Sequence, residues 1–484
     1  MSGLKVLSVA SEVFPLVKTG GLADVAGALP GALAGEDVDM RTLIPGYPAV
    51  KDKLGGAEVA HEYPDLFGGP AQVLAGRAAG LDIFALDAPH LFDRPGNPYL
   101  GPDGTDWPDN GRRFAALARV GADIGLGAIL GFQPDVVHAH DWQAGLAPAY
   151  LAYAGQPAPG SLITVHNLAF QGHFPVSIFW ELGLPDRALS FEGVEYFGGV
   201  GYLKAGLRLA DVVTTVSPTY AREIQTPEFG MALDGLLRAR GGAVHGILNG
   251  VDEAVWNPAT DPALAQTYNP LRIDMRARNK AALQSRLGLA HSVDRPLFGV
   301  VSRLSHQKGL DLLLHVLPRI VEQGGQLGLL GSGERWLESG FGDAAASRPG
   351  SVSCVFDYDE KLAHLFQSGA DFILVPSRFE PCGLTQLCAL RYGATPIVSR
   401  VGGLADTVID GNDAALAAGV ATGFQFAPPS VEALANAIDR AFEIYGDRAA
   451  MRRMRLNGMR ADVSWRGPAK RYAELYRSVA RTAA

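Results

Sequence analysis

Hydrophobic positions along this chain follow two alternating patterns. Short, nearly continuous apolar runs bounded by turn residues alternate with longer segments in which apolar residues recur every three or four positions. Such runs are typical of strands in a parallel sheet covered on both faces, and the longer segments predict the covering helices. In the first half the predicted strands are LKVLSVAS, DMRTLIPGY, GLDIFALDAP, PDVVHAHDW, SLITVHNLA and DVVTTVSP.

The pattern restarts after RARGGAVHGILNGVD, and this repetition predicts a second doubly wound α/β unit. One of its helices can be delimited from the sequence, because Ser430 is the expected N-cap and Gly446 the expected end. Its predicted apolar stripe is Val431, Leu434, Ala435, Ile438, Phe442 and Tyr445. The predicted strands of this half are PLFGVVSRL, GQLGLLGSG, SVSCVFDY, ADFILVPSR, TPIVSRVGG and TGFQF.

The length of the chain favours two domains, and its net charge disfavours polyanionic partners. The 484 residues exceed the roughly 250 to 300 residues at which single cores stop growing. The chain has 42 basic and 50 acidic residues, so its formal net charge is -8. This charge disfavours nonspecific binding to nucleic acid or to an anionic membrane. A bound anion must therefore be held by a local cluster of donors and cations.

Cysteine usage and the amino-terminal residues predict a cytoplasmic protein. Cys354, Cys382 and Cys388 have neither the spacing of a zinc site nor the even count of a disulfide framework. The first residues, MSGLKVLSVASEV, lack the regions of a signal peptide. One long uncharged stretch, from Ala414, contains two prolines that a membrane-spanning helix would avoid.

The pentapeptide GGLAD occurs twice, at Gly20–Asp24 and at Gly402–Asp406, each time after a predicted strand and before a predicted helix. Helix N-termini expose unpaired N–H groups, and glycine lets an anion approach them closely. We expect both copies to present a glycine-lined turn to a shared cleft. Lys18, beside the first copy, adds a full positive charge, although a tight turn with an exposed lysine is an alternative.

Nucleotide-binding motifs of the usual kinds are absent or incomplete. There is no GxxxxGK[ST] motif, and LLGSGERW has Trp336 where a dinucleotide fingerprint has its third glycine. A nicotinamide-dependent enzyme is therefore a minor alternative. In VVSRLSHQKGLDLLL, Arg303 and Lys308 lie between a predicted strand and a helix that begins near Gly309. Two cations there can bind a diphosphate without a metal, although surface cations beside helices are also common.

A third cluster is VPSRFEPCGLTQLCALRYG. Glu380 is expected at a strand end, followed by a turn at Pro381 and Gly383 and by a helix that starts at Leu384 and Thr385. A carboxylate at this place can bind sugar hydroxyls while the amide donors bind phosphate. It can also be only a partner of the helix dipole.

Histidines mark two adjacent predicted strand ends in the first half. His138, His140 and Asp141 lie in VVHAHDWQAG, and His166 and Asn167 lie in TVHNLAFQG. The His-x-His spacing suggests a metal site. No third ligand is evident, however, and buried structural histidines are the favoured interpretation, so we expect no metal.

Together these motifs resemble bacterial glycogen synthases and plant starch synthases, in the same order and over almost the whole chain. The motifs that carry the resemblance are KTGGLADVAGALP, HAHDWQAGLAPAYL, TVHNLAFQG, ADVVTTVSPTYAREI, ILNGVD, SRLSHQKGLDLL and PSRFEPCGLTQLCALRYG.

The resemblance implies a GT-B fold, in which two Rossmann-like doubly wound domains face a deep interdomain cleft. The implied domains are an acceptor-side domain at residues 1–243, a nucleotide-sugar domain at residues 244–455, and a helix at residues 456–484 that crosses back to the first domain. The implied reaction moves glucose from ADP-glucose to the non-reducing 4-OH of glycogen or another α-1,4-glucan primer. Anomeric configuration is retained, and no cofactor is implied.

The resemblance also assigns roles near the donor. Lys18, Gly20 and Gly21 would lie by the phosphates and the transferred glucose, with Asp24 in the same loop. Arg303 and Lys308 would neutralise the diphosphate as ADP leaves. Glu380 matches the acidic residue of the family near the glucose, and its donor-sugar loop matches Cys382, Gly383, Leu384 and Thr385.

The remaining implied site residues come from the first half and the junction. His166 would border the anomeric carbon, Asp141 and Asn167 would hold sugar hydroxyls, and Asn249 would lie near the hinge. Related retaining enzymes often carry a second glutamate eight positions after the first. Cys388 stands there in this chain, which leaves ribose recognition open.

Several alternatives remain open from the sequence. Arg303 and Lys308 can stabilise the leaving group while the acceptor approaches the same face, or Glu380 can act as a covalent nucleophile. A pyridoxal-dependent glucan phosphorylase and a noncatalytic polysaccharide-binding relative are rival classes, and the presence of Lys18 with the other charged groups favours an active enzyme. The choice of ADP-glucose over UDP-glucose rests on the resemblance alone.

Overall fold

The computed structural model describes residues 3–481, and the chain divides into two compact units. Unit 1 comprises Met1–Asn249 and Trp465–Ala484, and unit 2 comprises Gly250–Ser464. Residues 482–484 of the predicted carboxy-terminal segment lie outside the described range. Within that range, no helix combines the length and the apolar composition needed to cross a membrane.

Unit 1 contains twelve strands and eight helices before the chain leaves it. The strands are β1 (Leu4–Val9), β2 (Val38–Pro45), β3 (Gly55–Tyr63), β4 (Ala71–Ala78), β5 (Leu81–Asp87), β6 (Val136–His140), β7 (Gly160–Val165), β8 (His173–Pro175), β9 (Glu195–Tyr196), β10 (Gly199–Gly201), β11 (Val212–Thr215) and β12 (Val244–Gly246). The helices are α1 (Gly21–Ala34), α2 (Pro48–Lys51), α3 (Pro89–Phe92), α4 (Asn110–Gly125), α5 (Ala147–Ala152), α6 (Tyr202–Leu209), α7 (Pro218–Glu223) and α8 (Asp234–Ala239).

Unit 2 repeats the alternation of strand and helix. Its strands are β13 (Leu297–Val301), β14 (Gln326–Leu330), β15 (Val352–Val355), β16 (Phe372–Val375), β17 (Thr395–Ser399) and β18 (Phe424–Phe426). Its helices are α9 (Arg276–Leu287), α10 (Leu310–Glu322), α11 (Arg335–Ser347), α12 (Glu360–Gly369), α13 (Thr385–Tyr392), α14 (Gly402–Thr407), α15 (Asp413–Ala417), α16 (Val431–Gly446) and α17 (Arg448–Arg460). The last helix, α18 (Arg466–Val479), returns to unit 1.

The large sheets have the topology expected of doubly wound folds. The nine-stranded sheet of unit 1 has the order β12-β11-β7-β6-β1-β2-β5-β4-β3, and the six-stranded sheet of unit 2 has the order β15-β14-β13-β16-β17-β18. The pairs are parallel, except that β3, β4 and β5 pair antiparallel at one edge. All twelve predicted strands are present. The sequence did not predict β3 because most of its residues are exposed, so it contains no continuous apolar run.

Each parallel sheet has a switch point, where the chain turns from one side of its first strand to the other. In unit 1, β1 lies between β6 and β2, and in unit 2, β13 lies between β14 and β16. Ligands of open α/β sheets bind outside the carboxyl ends of the strands at such points. The segments that follow β1, β6, β13 and β16 are therefore the first places to search for a site.

The helix predicted from Ser430 is confirmed. The Ser430 Oγ accepts a hydrogen bond from the Ala433 N–H at 3.2 Å, and α16 ends at Gly446. The predicted Leu434 and Ile438 are fully buried in the apolar core of unit 2. The period of the apolar residues was sufficient here because the helix has one buried face.

Helix α18 completes the core of unit 1. It buries Ala469, Tyr472, Ala473 and Tyr476 in a cluster with residues of α1 and of the central strands. The Tyr476 hydroxyl also hydrogen-bonds His138 Nδ1 at 2.8 Å. An amphipathic helix at the end of the chain thus supplies part of the core of the unit in which the chain begins.

The unit boundaries differ from the predicted ones, which follow residues 243 and 455. Strand β12 pairs with β11 in the sheet of unit 1, and this keeps residues 244–249 with unit 1. Helix α17 continues to Arg460 and packs on α13 and α16, which keeps residues 456–464 with unit 2. Pairing between elements, which has no local sequence signal, sets both positions.

Candidate active site

The switch point of unit 2 carries an ion pair between two predicted site residues. Lys308, just before α10, places its Nζ 2.6 Å from Oε2 of Glu380, in the segment between β16 and α13. The Ser377 hydroxyl donates to the same oxygen at 2.8 Å. Glu380 is 6% exposed. Its carboxylate is therefore held in one position by a cation and a hydroxyl.

Arg303 lies five residues before Lys308, in the segment that follows β13. Its side chain is exposed, and within residues 3–481 its guanidinium has no hydrogen-bond or ion-pair partner. The helix that follows, α10, begins at Leu310 behind Gly309, as the sequence predicted. One compensated and one uncompensated cation thus precede the N-terminus of a helix, which is a favourable arrangement for a diphosphate.

Glu380 does not end a strand, contrary to the expectation from the sequence. Strand β16 ends at Val375, and Glu380 lies five positions further along an irregular segment. The second GGLAD copy explains its course. The Gly403 N–H donates to the Glu380 carbonyl at 3.1 Å, and a side chain on Gly402 would clash with that same carbonyl. These glycines are needed for close packing of backbone against backbone.

The two GGLAD copies therefore have different environments. Both begin helices, α1 and α14, as predicted. A side chain on Gly20 would meet nothing within 4 Å, whereas Gly402 and Gly403 are covered by the backbone of residues 380–382. Only the first copy leaves its glycine open to a ligand.

The predicted donor-sugar loop is a tight turn before α13. Gly383 has a φ of +73°, a conformation that favours glycine, and α13 begins at Thr385. The fully buried Gln386 donates through Nε2 to the carbonyl oxygens of Cys382 and Gly383 at 3.0 and 2.8 Å. Its amide thus satisfies two carbonyl oxygens of the turn and fixes the loop against the start of α13.

The weak dinucleotide fingerprint has a structural explanation. Gly331 and Gly333 follow β14, and a side chain on either would clash with the backbone carbonyl of Ser302 or Leu304. Leu304 and Gly333 form an isolated β-bridge. These glycines hold the segment that contains Arg303, and nothing in their packing requires a nicotinamide cofactor.

In unit 1, Glu12 organises the segment between β1 and α1. Its buried carboxylate accepts hydrogen bonds from the Thr19 N–H, from the Thr19 hydroxyl at 2.6 Å, and from the Gly20 N–H at 3.3 Å. The Tyr99 hydroxyl donates to Oε1, the oxygen that also accepts the Thr19 hydroxyl, whereas both N–H groups donate to Oε2. The turn at Thr19 and Gly20 is therefore fixed by the side chain of Glu12, which precedes it in the sequence.

Lys18 and Asp24 form an ion pair with Nζ and Oδ1 2.9 Å apart. The sequence suggested that Asp24 lies in the loop. The helix begins at Gly21, however, so Asp24 lies in the first turn of α1. The Lys18 Nζ also lies 5.1 Å from the centre of the Phe14 ring. Lys18 is thus held beside Gly20 by an anion and an aromatic face.

Asp141 and His166 meet at the ends of β6 and β7. The Asp141 carboxylate accepts the His166 N–H at 2.6 Å and the Asn167 N–H at 3.5 Å. Burial raises the pKa of Asp141 to about 7, and the backbone donors only partly oppose this. The predicted grouping of Asp141, His166 and Asn167 is present in the structure.

The histidines are linked to protein groups. His140 Nδ1 lies 2.9 Å from His166 Nε2, and His140 Nε2 lies 3.1 Å from the Ser8 hydroxyl. His138 bonds Thr164 as well as Tyr476. Burial lowers the pKa of His140 to about 3. In the described part of the chain, no three His, Cys, Asp or Glu side chains are grouped to hold a metal ion.

Two further predicted positions lie near the unit boundary and in α13. Asn249, the last residue of the first segment of unit 1, is 7% exposed, and its Oδ1 has no partner among the described residues. Cys388 is buried in α13 against Val251 and Leu387. An apolar environment replaces the carboxylate that related enzymes often carry at this position.

Three side chains that organise these sites were missed by sequence reasoning. They act through groups far away in the chain or through the backbone, so no short motif marks them. Only Glu12, placed directly after an apolar strand, carried a local signal. The three are Glu12, Tyr99 and Gln386.

Comparison with family models matches both units. Residues 5–239 match the starch synthase catalytic domain, and residues 285–457 match the glycosyl transferases group 1. A glycogen synthase of Rhodopseudomonas palustris (strain HaA2) is 60% identical over 479 residues, which is 99% of each chain. A glycogen synthase of Methylocella silvestris is 57% identical over 481 residues, covering 99% of this chain and 100% of the relative.

Among solved structures, the catalytic domain of starch synthase IV from Arabidopsis thaliana, bound to ADP and acarbose, aligns with a TM-score of 0.89. It is 33% identical, and the alignment covers 99% of this chain and 100% of that domain. The predicted fold class is thereby confirmed. This chain belongs to the glycogen and starch synthase family of glucosyltransferases and has the GT-B fold with two α/β domains.

Proposed function

We propose that this glucosyltransferase of glycogen synthesis uses ADP-glucose and extends the non-reducing 4-OH of an α-1,4-glucan with retention of configuration. The ADP bound by the Arabidopsis relative supports adenine as the base of the donor. The relatives named glycogen synthase support a glucan acceptor. Cys354, Cys382 and Cys388 form no disulfide within residues 3–481, which favours a reducing compartment, and we infer the cytoplasm.

The observation that carries the proposal is the cation cluster at the switch point of unit 2. Lys308 is 2.6 Å from Glu380, and the exposed Arg303 lies in the same segment without an anion partner. A departing nucleoside diphosphate gains negative charge as the bond to glucose breaks. Charges that are already in place stabilise this transition state without further reorganisation.

Glu380 serves in this proposal as the partner that positions Lys308 and faces the transferred glucose. Both of its hydrogen bonds, from Lys308 and from Ser377, fall on Oε2. A carboxylate held in this way is well suited to orient a cation and sugar hydroxyls. We propose that the acceptor hydroxyl attacks on the face from which the diphosphate leaves, without a covalent enzyme intermediate.

In unit 1, the proposal assigns roles to Lys18, Asp141 and His166. Because Glu12 already accepts the N–H groups of Thr19 and Gly20, Lys18 and the next N–H groups in the first turn of α1 would bind the phosphates and the glucose. Asp141, whose carboxylate fixes the His166 backbone at 2.6 Å, would hold a sugar hydroxyl while His166 borders the anomeric carbon. Because His140 bonds His166 Nε2, the ring of His166 is oriented by a neutral partner.

The first test measures initial rates with a glycogen primer and either ADP-glucose or UDP-glucose. Lys308→Ala and Arg303→Ala should each lower kcat by about 10²- to 10³-fold with ADP-glucose, which corresponds to about 3 to 4 kcal/mol of transition-state stabilisation. The matched control is Lys361→Ala, since Lys361 is an exposed lysine on α12. Unchanged turnover of Lys308→Ala, or equal rates with UDP-glucose, would contradict the proposal.

A second test separates the two routes to retention. Glu380→Gln and the native protein are incubated with ADP-glucose and analysed as intact proteins by mass spectrometry. We expect no glucosyl adduct on either protein, and an adduct on Glu380 would establish the covalent route instead. Rates measured with and without a chelator should agree, because the proposal assigns charge stabilisation to Arg303 and Lys308.

A further inference from the structure

A second ion pair runs beside the Lys308–Glu380 pair in unit 2. Arg378 donates from Nη1 to Asp311 Oδ1 at 2.7 Å and from Nη2 to Asp311 Oδ2 at 2.6 Å. Asp311 lies in the first turn of α10, three residues after Lys308, and Arg378 lies two residues before Glu380. The two pairs thus join the same two segments, 302–309 with the start of α10, and 376–384.

The backbone joins these segments as well. The Arg378 N–H donates to the Gln307 carbonyl at 2.8 Å, and Arg378 Nη1 donates to the His306 carbonyl at 2.7 Å. Gln307 Nε2 donates back to the Phe379 carbonyl at 3.3 Å. Contacts of Arg378 therefore fix the two carbonyls that precede Lys308 in the chain.

The geometry distinguishes this pair from an ordinary surface ion pair. The side chains of Arg378 and Asp311 are 25% and 18% exposed, and a bidentate arginine–carboxylate contact fixes both distance and angle. The hydrogen bond from Arg378 lowers the pKa of Asp311. Asp311 alone could be a partner of the helix dipole, but the dipole needs neither the second oxygen contact nor the carbonyl of His306.

Lys308 depends on this arrangement because its side chain is long and flexible. A contact of 2.6 Å with Glu380 requires the two segments to keep a fixed separation. Gly309 adds to the constraint, since its φ is +65° and a side chain there would clash with the Pro376 carbonyl. The segments are therefore joined by hydrogen bonds to backbone carbonyls just before Lys308, and by the close approach at Gly309 and the Arg378–Asp311 ion pair just after it.

We propose that Arg378 and Asp311 are positioning residues that hold Lys308 and Glu380 in the geometry needed for departure of the diphosphate. The pair acts through Lys308 and does not touch the substrate. We call the Arg378–Asp311 pair in this role the clamp. The inference rests on the proposed roles of Lys308 and Glu380, so its test must separate failure of those roles from failure of the clamp.

The test is a double-mutant cycle between Arg378→Lys and Lys308→Ala, using the full chain with ADP-glucose and a glycogen primer. Arg378→Lys keeps the charge but cannot make the bidentate contact. It should lower kcat by about 10- to 100-fold, a loss typical of small displacements of catalytic groups, with a KM for ADP-glucose within about threefold of the native value. In the Lys308→Ala background the same change should cost less than about threefold, because its target is already absent.

The control pair lies on the same helix. Arg319 of α10 makes a bidentate contact with Asp439 of α16, at 2.8 and 2.5 Å, away from both segments. Arg319→Lys should change kcat by less than about twofold in both backgrounds, since an exposed ion pair contributes little. Asp311→Glu, which keeps the carboxylate, should retain more of the native kcat than Asp311→Asn.

The outcomes separate the two proposals. A large loss in Lys308→Ala combined with nearly native kinetics of Arg378→Lys would overturn the clamp alone. Additive losses in the cycle would also overturn it, because they would show an effect independent of Lys308. Native activity of Lys308→Ala would overturn both.

Thermal midpoints are measured for each variant, and Asp311→Asn replaces Arg378→Lys if the latter does not fold. Loss of folding in both would assign the pair to stability and overturn the proposal.

Discussion

At the residue scale, the surroundings of a carboxylate decide its chemistry in this protein. The hydrogen bond from Arg378 lowers the pKa of Asp311, whereas burial raises the pKa of Asp141 to about 7. Glu12 and Glu380 are both buried. Within the part of the chain that the structure describes, Glu12 accepts only from backbone N–H groups and hydroxyls, whereas Glu380 accepts from an ammonium group as well as a hydroxyl. The same group therefore orders a turn in one unit and orients a cation in the other.

The raised pKa of Asp141 predicts a pH-dependent cost to stability. Between the ordinary value of 3.8 and about 7, the folded protein holds a proton that the unfolded chain releases. The contribution of this group is therefore complete below pH 3.8 and is lost as the pH rises to about 7. Asp141→Asn removes the titration, so its stability relative to the native protein should be about 2 to 3 kcal/mol more favourable at pH 8 than at pH 5.

Urea unfolding of both proteins at the two pH values measures this difference. Asp39→Asn, at an exposed position on β2, is the control and should follow the native pH dependence. Parallel pH profiles of the native protein and Asp141→Asn would show that Asp141 ionises normally in the folded state.

At the element scale, the buried strands and the helices with one buried face could be predicted from the sequence. The paths of the connecting segments depend instead on the elements against which they pack. The α16 cap and stripe match the prediction from Ser430 onward. In contrast, Glu380 lies in an irregular segment because its backbone packs closely against Gly402, and the Gly403 N–H donates to its carbonyl. A helix is coded by its own period, but the path of a loop depends on the surface against which it packs.

Removal of the α16 cap should destabilise that helix locally. Ser430→Ala leaves the Ala433 N–H without its side-chain acceptor, and the expected cost is about 1 kcal/mol. Hydrogen exchange should become faster in the first turn of α16, while α10, which packs on it, changes less. Ser430→Asp restores an acceptor and should restore slow exchange. Equal exchange in all three proteins would show that the cap contributes nothing measurable.

At the scale of the whole molecule, the chain passes from unit 1 to unit 2 and returns through α18. The return places Tyr472 and Tyr476 in the core of unit 1, more than two hundred residues after the first segment of that unit ends. Unit 1 is thus not complete until the entire chain is present. Unit 2 is a continuous segment and contains its own core clusters.

Tyr476→Ala should therefore weaken unit 1 selectively. The variant loses a fully buried ring and the hydrogen bond to His138, with an expected cost of about 3 to 5 kcal/mol. Hydrogen exchange should accelerate in β1, β6 and β7 and stay unchanged in the sheet of unit 2. Tyr445→Ala, which removes a tyrosine packed on the core of unit 2, is the reciprocal control. Acceleration in both units by either variant would contradict this division.

Sequence patterns were sufficient to predict the class of fold, twelve strands, the capped helix from Ser430 and the family of the chain. These features depend on local period, on turn residues and on contiguous motifs, all of which are readable along the chain. The motifs also predicted Lys308 and Glu380 as site residues, and those roles stay a prediction. The structure brings the two side chains to 2.6 Å.

Tertiary structure alone decided which distant groups support these residues. Glu12 meets Tyr99, Asp311 meets Arg378, and His138 meets Tyr476 across long separations in sequence. It also placed Asp24 in a helix and closed the second GGLAD turn with backbone. Such contacts form because the sheets bring strand ends together and exclude water there, so desolvation and hydrogen-bond partners are set by the packed fold and leave no local pattern in the sequence.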